Sequence, residues 1–228
     1  MPIAVEQIVP WGRSMSEYVA MFDLSECDLD SRILGSGDGP ASFNCEMTAL
    51  GRSVVSVDPL YAVSRAQIAE RIAATYETII GQLYHHLDDY VWERFADPDA
   101  LGRHRLAAMR TFLDDLARGL DEERYLSQAL PTLDFADRQF DLALCSHFLF
   151  LYTEQLSYTF HLDSIRELCR VAGEVRIFPL LDMHCRRSPY VEPLQADLAS
   201  TGFHVAIRTV PYEFQRGGNQ MMRVRATQ

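Results

Sequence analysis

The chain contains no lysine: all 21 of its basic residues are arginine, set against 32 acidic ones, for a formal net charge of -11. The missing lysine reads as a bias of genomic base composition rather than as a functional signal. The shortage of positive charge, with no run of arginine anywhere, argues against a phosphate-backbone ligand, so no nucleic-acid partner is expected. The five cysteines, Cys27, Cys45, Cys145, Cys169 and Cys185, form no CxxC pair, as for free thiols in a reducing compartment. No apolar run approaches the length of a membrane span, and "MPIAVEQIVPWGRS" lacks a basic-then-apolar leader pattern. A cytoplasmic protein without a membrane partner is the expectation. Internal repeats and low-complexity linkers are also missing, which leaves 1–228 as a single α/β domain.

What is present is an alternation of β-rich apolar runs with helix-period segments, the pattern of a parallel sheet with crossover helices. Ser14 and Glu17 have capping-box spacing for a first helix. Strands are predicted at 31–35, 53–58, 124–130, 140–147 and 174–181, with Gly173 as a cap before the fifth. A helix opening with Pro40 in its first turn would place Phe43, Met47 and Leu50 on one face. Further helices are predicted from the Ser64–Gln67 capping box to Leu87, over 103–119, over 161–172, and from Ser188–Pro189 to Gly202. The tail reads strand, turn, strand: "FHVAIRTV", a connection with Gly217–Gly218, then "QMMRVRA". A purely parallel chain would not end in such a hairpin.

Between the first strand and its helix lies "LGSGDGPASF", with Gly35, Gly37 and Gly39 at alternate positions. Glycines there permit a tight turn and close approach of backbone to ligand. The second strand ends in Asp58, a carboxylate placed to accept from both hydroxyls of a ribose. A dinucleotide fingerprint would carry its third glycine where this chain has Pro40, which has no N–H to offer a pyrophosphate. An adenosine ligand without phosphate suits the loop better.

Through "ILGSGDGPASF", "VVSVDP", "FDLALCSHFLFLY" and the terminal strand pair, roughly residues 30–226, the chain resembles the class I S-adenosylmethionine-dependent methyltransferases. The resemblance implies a three-layer Rossmann-like sandwich with a mostly parallel seven-stranded sheet of order 3-2-1-4-5-7-6 and an antiparallel last strand. Extra helices would fill 60–123 between strands two and three, and 1–30 would form an N-terminal helical lid. S-adenosylmethionine would be the cofactor and S-adenosylhomocysteine its product. By position, Gly35, Ser36, Gly37, Gly39, Asp58 and Pro59 would bind its methionine and ribose. Gln128, Ala129 and Leu130 would hold the adenine, and Cys145, Ser146 and His147 would line the reacting methyl. Arg13, Ser14 and Tyr18 could fold over the cofactor as that lid, with Arg13 at the methionine carboxylate; an N-cap and a solvated arginine are the alternative reading. Two family features are missing: Ile33 stands where many members carry an acid, and 127–130 lack the acid that holds the adenine amino group.

Methyl transfer from a sulfonium needs mainly alignment and exclusion of water, with a base only where the acceptor loses a proton. His147, where the fourth strand opens into the crevice, is the candidate base; packing is the alternative reading. Tyr152 and Trp92 are candidate walls of a substrate pocket, and Trp11 a candidate aromatic lid. Trp92 and Phe95 could instead form the surface of a homodimer. His161 reads as part of a helix start, the acids at 121–123 as a solvated turn, and 213–220 as a hairpin turn that could rim the pocket. His85–His86 and His184–Cys185 have no ligand spacing, so no metal is expected. A small-molecule methyl acceptor is favoured, because no NPPY-type run and no Pro-Cys nucleophile pair is present. Two rival readings stand: a nicotinamide-dependent oxidoreductase using the same loop and Asp58, and a non-catalytic cofactor-binding regulator.

Overall fold

Short β-branched and aliphatic runs buried on both faces build the centre of the sheet: β1 (Ile33–Ser36), β2 (Val54–Val57), β4 (Phe140–Ser146) and β5 (Ala172–Phe178), with β3 reduced to Tyr125–Leu126. β6 (Phe203–Thr209) and β7 (Gln220–Ala226) complete it. The computed structural model describes residues 10–227, and so residues 1–9 of the expected N-terminal lid lie outside the described residues. The strand order is β3-β2-β1-β4-β5-β7-β6. β1 to β5 pair in parallel, whereas β7 runs antiparallel to both β5 and β6, as the resemblance implies. The reversal follows from the connection over 210–219, which folds straight back; a parallel neighbour would need a crossover.

Period-2 alternation along β4 divides the core. Leu142 and Leu144 face α1 (Met15–Phe22) and α3 (Phe43–Ala49), together with Tyr18, Met21, Phe22, Phe43 and Met47. Ala143 and Cys145 face α6 (Tyr158–Val171) and α7 (Val191–Ser200), with Ile165, Leu168, Leu194 and Leu198. α2 is the short helix Glu26–Leu29. The segment between β2 and β3 is two long helices, α4 (Arg65–His85) and α5 (Pro98–Asp121), which pack on each other; α5 also meets α3 and β3. The Ser64–Gln67 box caps α4 as its spacing predicts, with Ser64 N–H donating to Gln67 Oε1 at 3.2 Å.

Several boundaries differ from the sequence reading, each for a local reason. α3 begins at Phe43, so Pro40 lies in the preceding turn rather than in the helix. Leu50 is its C-cap and 61% exposed, beyond the last turn that could bury it. Gly173 is inside β5, not a cap: α6 runs directly into the strand, and a side chain at 173 would press within 3.1 Å of the Asp141 carbonyl. β3 stops at Leu126 because the chain turns there, Gln128 N–H donating to the Leu126 carbonyl. The last helix starts at Val191, after Tyr190 rather than at Ser188–Pro189.

α1 is not a free lid, since Tyr18, Met21 and Phe22 are core residues. It is further fixed by Glu17, which is 0% exposed. That carboxylate accepts from Ser14 N–H at 3.1 Å and Tyr212 O–H at 2.9 Å, and pairs with the buried Arg105 of α5; His104 Nε2 lies 3.1 Å away. Burial would raise its pKa, but the Arg105 charge and the hydrogen bonds from His104 and Arg105 outweigh that and hold it well below the usual range. Removing one partner strands the other charge. Glu17→Ala is expected to lower the unfolding free energy by about 3–5 kcal/mol, and Tyr212→Phe by about 1 kcal/mol. Urea titration of the two variants checks both values.

Candidate functional site

The C-terminal ends of β1, β2, β4 and β5 open into one cleft, the usual ligand position in an open α/β sheet. Its floor is the glycine loop. Gly35 is required not by a ligand but by Asp38: a Cβ at 35 would come 1.8 Å from Asp38 Oδ2. Gly37 has φ +69°, and a side chain there would meet Phe148 Cβ at 2.8 Å. The Asp38 carboxylate turns inward, accepting from Tyr18 O–H and Ser56 O–H, both at 2.7 Å. Burial lifts its pKa to about 6 against those hydrogen bonds, and the neighbouring Asp58 adds to the rise.

Asp58 also lines the cleft, but it is engaged. Oδ2 accepts from Gly39 N–H at 2.9 Å and Oδ1 from Leu60 N–H at 2.8 Å. The second bond caps a 3-10 turn, Pro59–Ala62, and each oxygen keeps capacity for one more donor. Burial raises its pKa, opposed by the two N–H donors. The loop's own N–H groups are largely spent. Gly37 donates to Val57, Ala41 to Asp38 and Ser42 to Arg13, all at carbonyls; Gly39 donates to Asp58, and Pro40 has none to give.

Ser42's bond ties the segment 10–13 to the loop. Gly12 is pressed so close to the Pro40 carbonyl that a Cβ would lie 2.0 Å from its oxygen. Arg13, next in the chain, lines the cleft. Its Nη1 donates to the Trp11 carbonyl at 3.0 Å, its buried Nε has no partner, and no acid pairs with it among the described residues. Burial and the nearby Arg105 lower its pKa to about 10.

At the end of β4, Ser146, His147 and Phe148 reach the cleft. His147 is left-handed, φ 50°, held there by its N–H donating to the Phe178 carbonyl at 2.7 Å. Nδ1 lies 3.1 Å from Ser146 Oγ, and Nε2 has no hydrogen-bond partner among the described residues. Burial, with Arg13 and Arg105 adding, pushes its pKa well below the ordinary value and keeps the ring neutral.

The other sequence candidates sort clearly. Ser36, Gly37, Gly39, Pro59, Tyr18, Ala129, Leu130, Tyr152 and Trp11 line the cleft. Gln128 lines it too, although its Oε1 already accepts from Asp134 N–H at 2.8 Å. Gly35 and Cys145 do not reach the cleft surface. Neither does Trp92: its indole N–H donates to the Leu87 carbonyl, and its ring backs Tyr90 and Phe214, which line the wall in its place. His161 is a packed core residue, its two ring nitrogens at the Ser157 and Leu149 carbonyls.

Phe214, Gln215 and Gly218, in the 213–220 connection expected to rim the pocket, do line the cleft, whereas Asp38, Tyr90 and Tyr212 were not singled out by sequence. An acid inside a glycine loop was the visible sign of Asp38. Tyr90 and Tyr212 lie in segments with no periodicity to mark them. Among the described residues, no cluster of three or more His, Cys, Asp and Glu is arranged to hold a metal, and no helix is long and apolar enough to cross a membrane.

No protein-family model matches the chain. It is 30% identical over 215 residues to the uncharacterized protein MJ0045 of Methanocaldococcus jannaschii, covering 94% of each. Among solved structures it is similar to a magnesium protoporphyrin IX methyltransferase of Synechocystis PCC 6803 with bound SAM, at 12% identity and TM-score 0.49, covering 93% of this chain and 78% of that one. It is similar too to a putative S-adenosyl-L-methionine-dependent methyltransferase of Methanococcus maripaludis, at 10% identity and TM-score 0.49, covering 94% and 84%. With 30% identity across nearly the whole of both chains, this protein belongs to the same family as MJ0045, and its sheet has the strand order of the class I S-adenosylmethionine-dependent methyltransferase fold.

Proposed function

We propose that this protein is an S-adenosylmethionine-dependent methyltransferase acting on a small-molecule acceptor, with S-adenosylhomocysteine as the second product. The observation that carries the reading is the spent row of N–H groups in the glycine loop. A pyrophosphate needs free backbone donors; a ribose next to Asp58 and a cationic amino acid moiety next to Asp38 do not. The same feature speaks against the nicotinamide reading.

In this assignment Asp58 accepts from the ribose hydroxyls, while Ala129, Leu130 and Leu60 enclose the adenine. Arg13, which lacks an acidic partner, meets the methionine carboxylate through charge-assisted hydrogen bonds. Asp38 and Tyr18 face the positive end of the ligand. S-adenosylmethionine, when bound, supplies a methyl group on a positively charged sulfur. The chain's own contribution is to fix that group at the β4 end, exclude water and set a neutral imidazole, His147, beside the acceptor.

Calorimetry with S-adenosylhomocysteine and NAD separates this reading from its rivals. S-adenosylhomocysteine is expected to bind and NAD to give no heat; the reverse sinks the proposal. Asp58→Ala should weaken S-adenosylhomocysteine binding about tenfold or more, as for loss of a charge-assisted hydrogen-bond pair. Gly37→Ala should abolish it, because the left-handed backbone and Phe148 both oppose a side chain. Binding without turnover over a broad acceptor panel would favour a non-catalytic regulator.

A pH dependence follows from Asp38. Its pKa is raised from 3.8 to about 6, so its contribution to the stability of the free protein is fully present below pH 3.8 and lost as pH rises through about 6. A cationic ligand beside it favours the ionised form. S-adenosylmethionine affinity is therefore expected to fall between pH 7 and pH 5, with proton release on binding near pH 6. Asp38→Asn should flatten both, as read by calorimetry in buffers of different ionisation heat.

A further inference from the structure

The cleft has two unlike ends. Both acids among its lining residues, Asp38 and Asp58, sit at the glycine loop. A second group of lining residues is apolar and aromatic: Trp11 before α1, Ile79 and Leu83 at the end of α4, Tyr90 after it, and Tyr212 and Phe214 in the β6–β7 connection. Its rings are held rigidly. Phe214 stacks on Tyr90 with centroids 4.7 Å apart and meets the edges of Trp92 at 5.5 Å and Phe95 at 6.2 Å. Tyr212 packs edge-on against Phe178 at 5.7 Å, and its hydroxyl is committed to Glu17. A backbone zipper locks the two strands of this wall: Val91 N–H donates to the Phe214 carbonyl at 2.8 Å and Arg216 N–H to the Asp89 carbonyl at 2.9 Å.

A rigid wall of rings with no carboxylate selects by shape and by charge. A flat ring loses little conformational freedom on binding and gains ring-on-ring contact. An aliphatic ammonium finds no counter-charge among these residues. Nε2 of His147, which lines the same cleft, has no hydrogen-bond partner among the described residues.

We propose that the methyl acceptor is a flat aromatic compound carrying a ring O–H or N–H, seated against Tyr90 and Phe214 with that group at His147. The proposal rests on the methyltransferase reading and names its substrate class. In the step, a lone pair of the ring-borne oxygen or nitrogen forms a bond to the methyl carbon. The carbon–sulfur bond breaks, its electron pair stays on sulfur, and the neutral thioether S-adenosylhomocysteine leaves. The acceptor's proton passes to His147 Nε2 and then to water. No oxidant or further reactant is needed.

The test uses the full chain and two probes, 1-naphthol and cyclohexylamine, titrated by calorimetry with and without saturating S-adenosylhomocysteine. Naphthol is expected to bind at least tenfold more tightly than the amine. Phe214→Leu, which keeps an apolar side chain but removes the ring, and Tyr90→Leu should each cut naphthol affinity tenfold or more while S-adenosylhomocysteine affinity stays within twofold, which also shows that the variants fold. With S-adenosylmethionine present, naphthol O-methylation should be detected by mass spectrometry. His147→Gln should reduce its kcat at least a hundredfold with KM within threefold. Wild-type S-adenosylhomocysteine binding with no preference for naphthol, or naphthol binding indifferent to Phe214→Leu and Tyr90→Leu, overturns the acceptor class. Failure of S-adenosylhomocysteine to bind overturns the reading beneath it.

Discussion

Glu17 is the constraint on which the rest of the molecule depends. A carboxylate with no exposure cannot stay charged unless donors surround it, and its donors come from distant parts of the chain: Ser14 beside it, Arg105 on α5 and Tyr212 beyond β6. Meeting that demand brings the start of the chain, the helical segment between β2 and β3, and the connection before β7 to one point. Tyr18 follows Glu17 directly and is thereby delivered to the glycine loop, while Tyr212 is delivered to the aromatic wall. The cleft's two ends are thus assembled from behind, by an ion pair that does not line the cleft.

The glycine loop illustrates a second economy. Its N–H groups satisfy the protein's own carbonyls and Asp58, and its carboxylate at Asp38 is satisfied by two hydroxyls. The loop is consequently shaped before any ligand arrives. What the loop and Asp58 leave for a ligand is acceptor capacity rather than donors, which is the premise of the proposed function.

Much of this was legible in the sequence, and the reasons are physical. β1, β2, β4 and β5 are continuous apolar runs because both their faces are buried, so their identities and the glycine loop stand out. The Ser64–Gln67 box fixes the start of α4 by local hydrogen bonds alone. β3 was overextended because only two of its residues pair, and a ladder that short leaves little pattern. Gly173 misled because a glycine after a helix usually ends it, whereas here the residue is already in β5, with the neighbouring β4 backbone pressed close at the Asp141 carbonyl. Trp92 was misplaced by one layer, since composition can mark an aromatic cluster but not say which ring faces inward. Asp38, Arg105 and Tyr212 depend on contacts between residues far apart in sequence, and no periodicity records those.

The contact between Gly12 and Pro40 has a consequence for how specificity can change in this family. With Gly12 against the Pro40 carbonyl and Ser42 bonded to the Arg13 carbonyl, the glycine loop and the segment bearing Trp11 are joined. A substitution that repositions the loop drags an aromatic wall residue with it, and reshaping the wall at Trp11 pulls on the loop. The two ends of the cleft cannot be tuned separately along this segment. Under the proposed function, divergence toward new acceptors is left to Tyr90, Phe214 and the end of α4, which adjoin neither Gly12 nor the glycine loop in sequence.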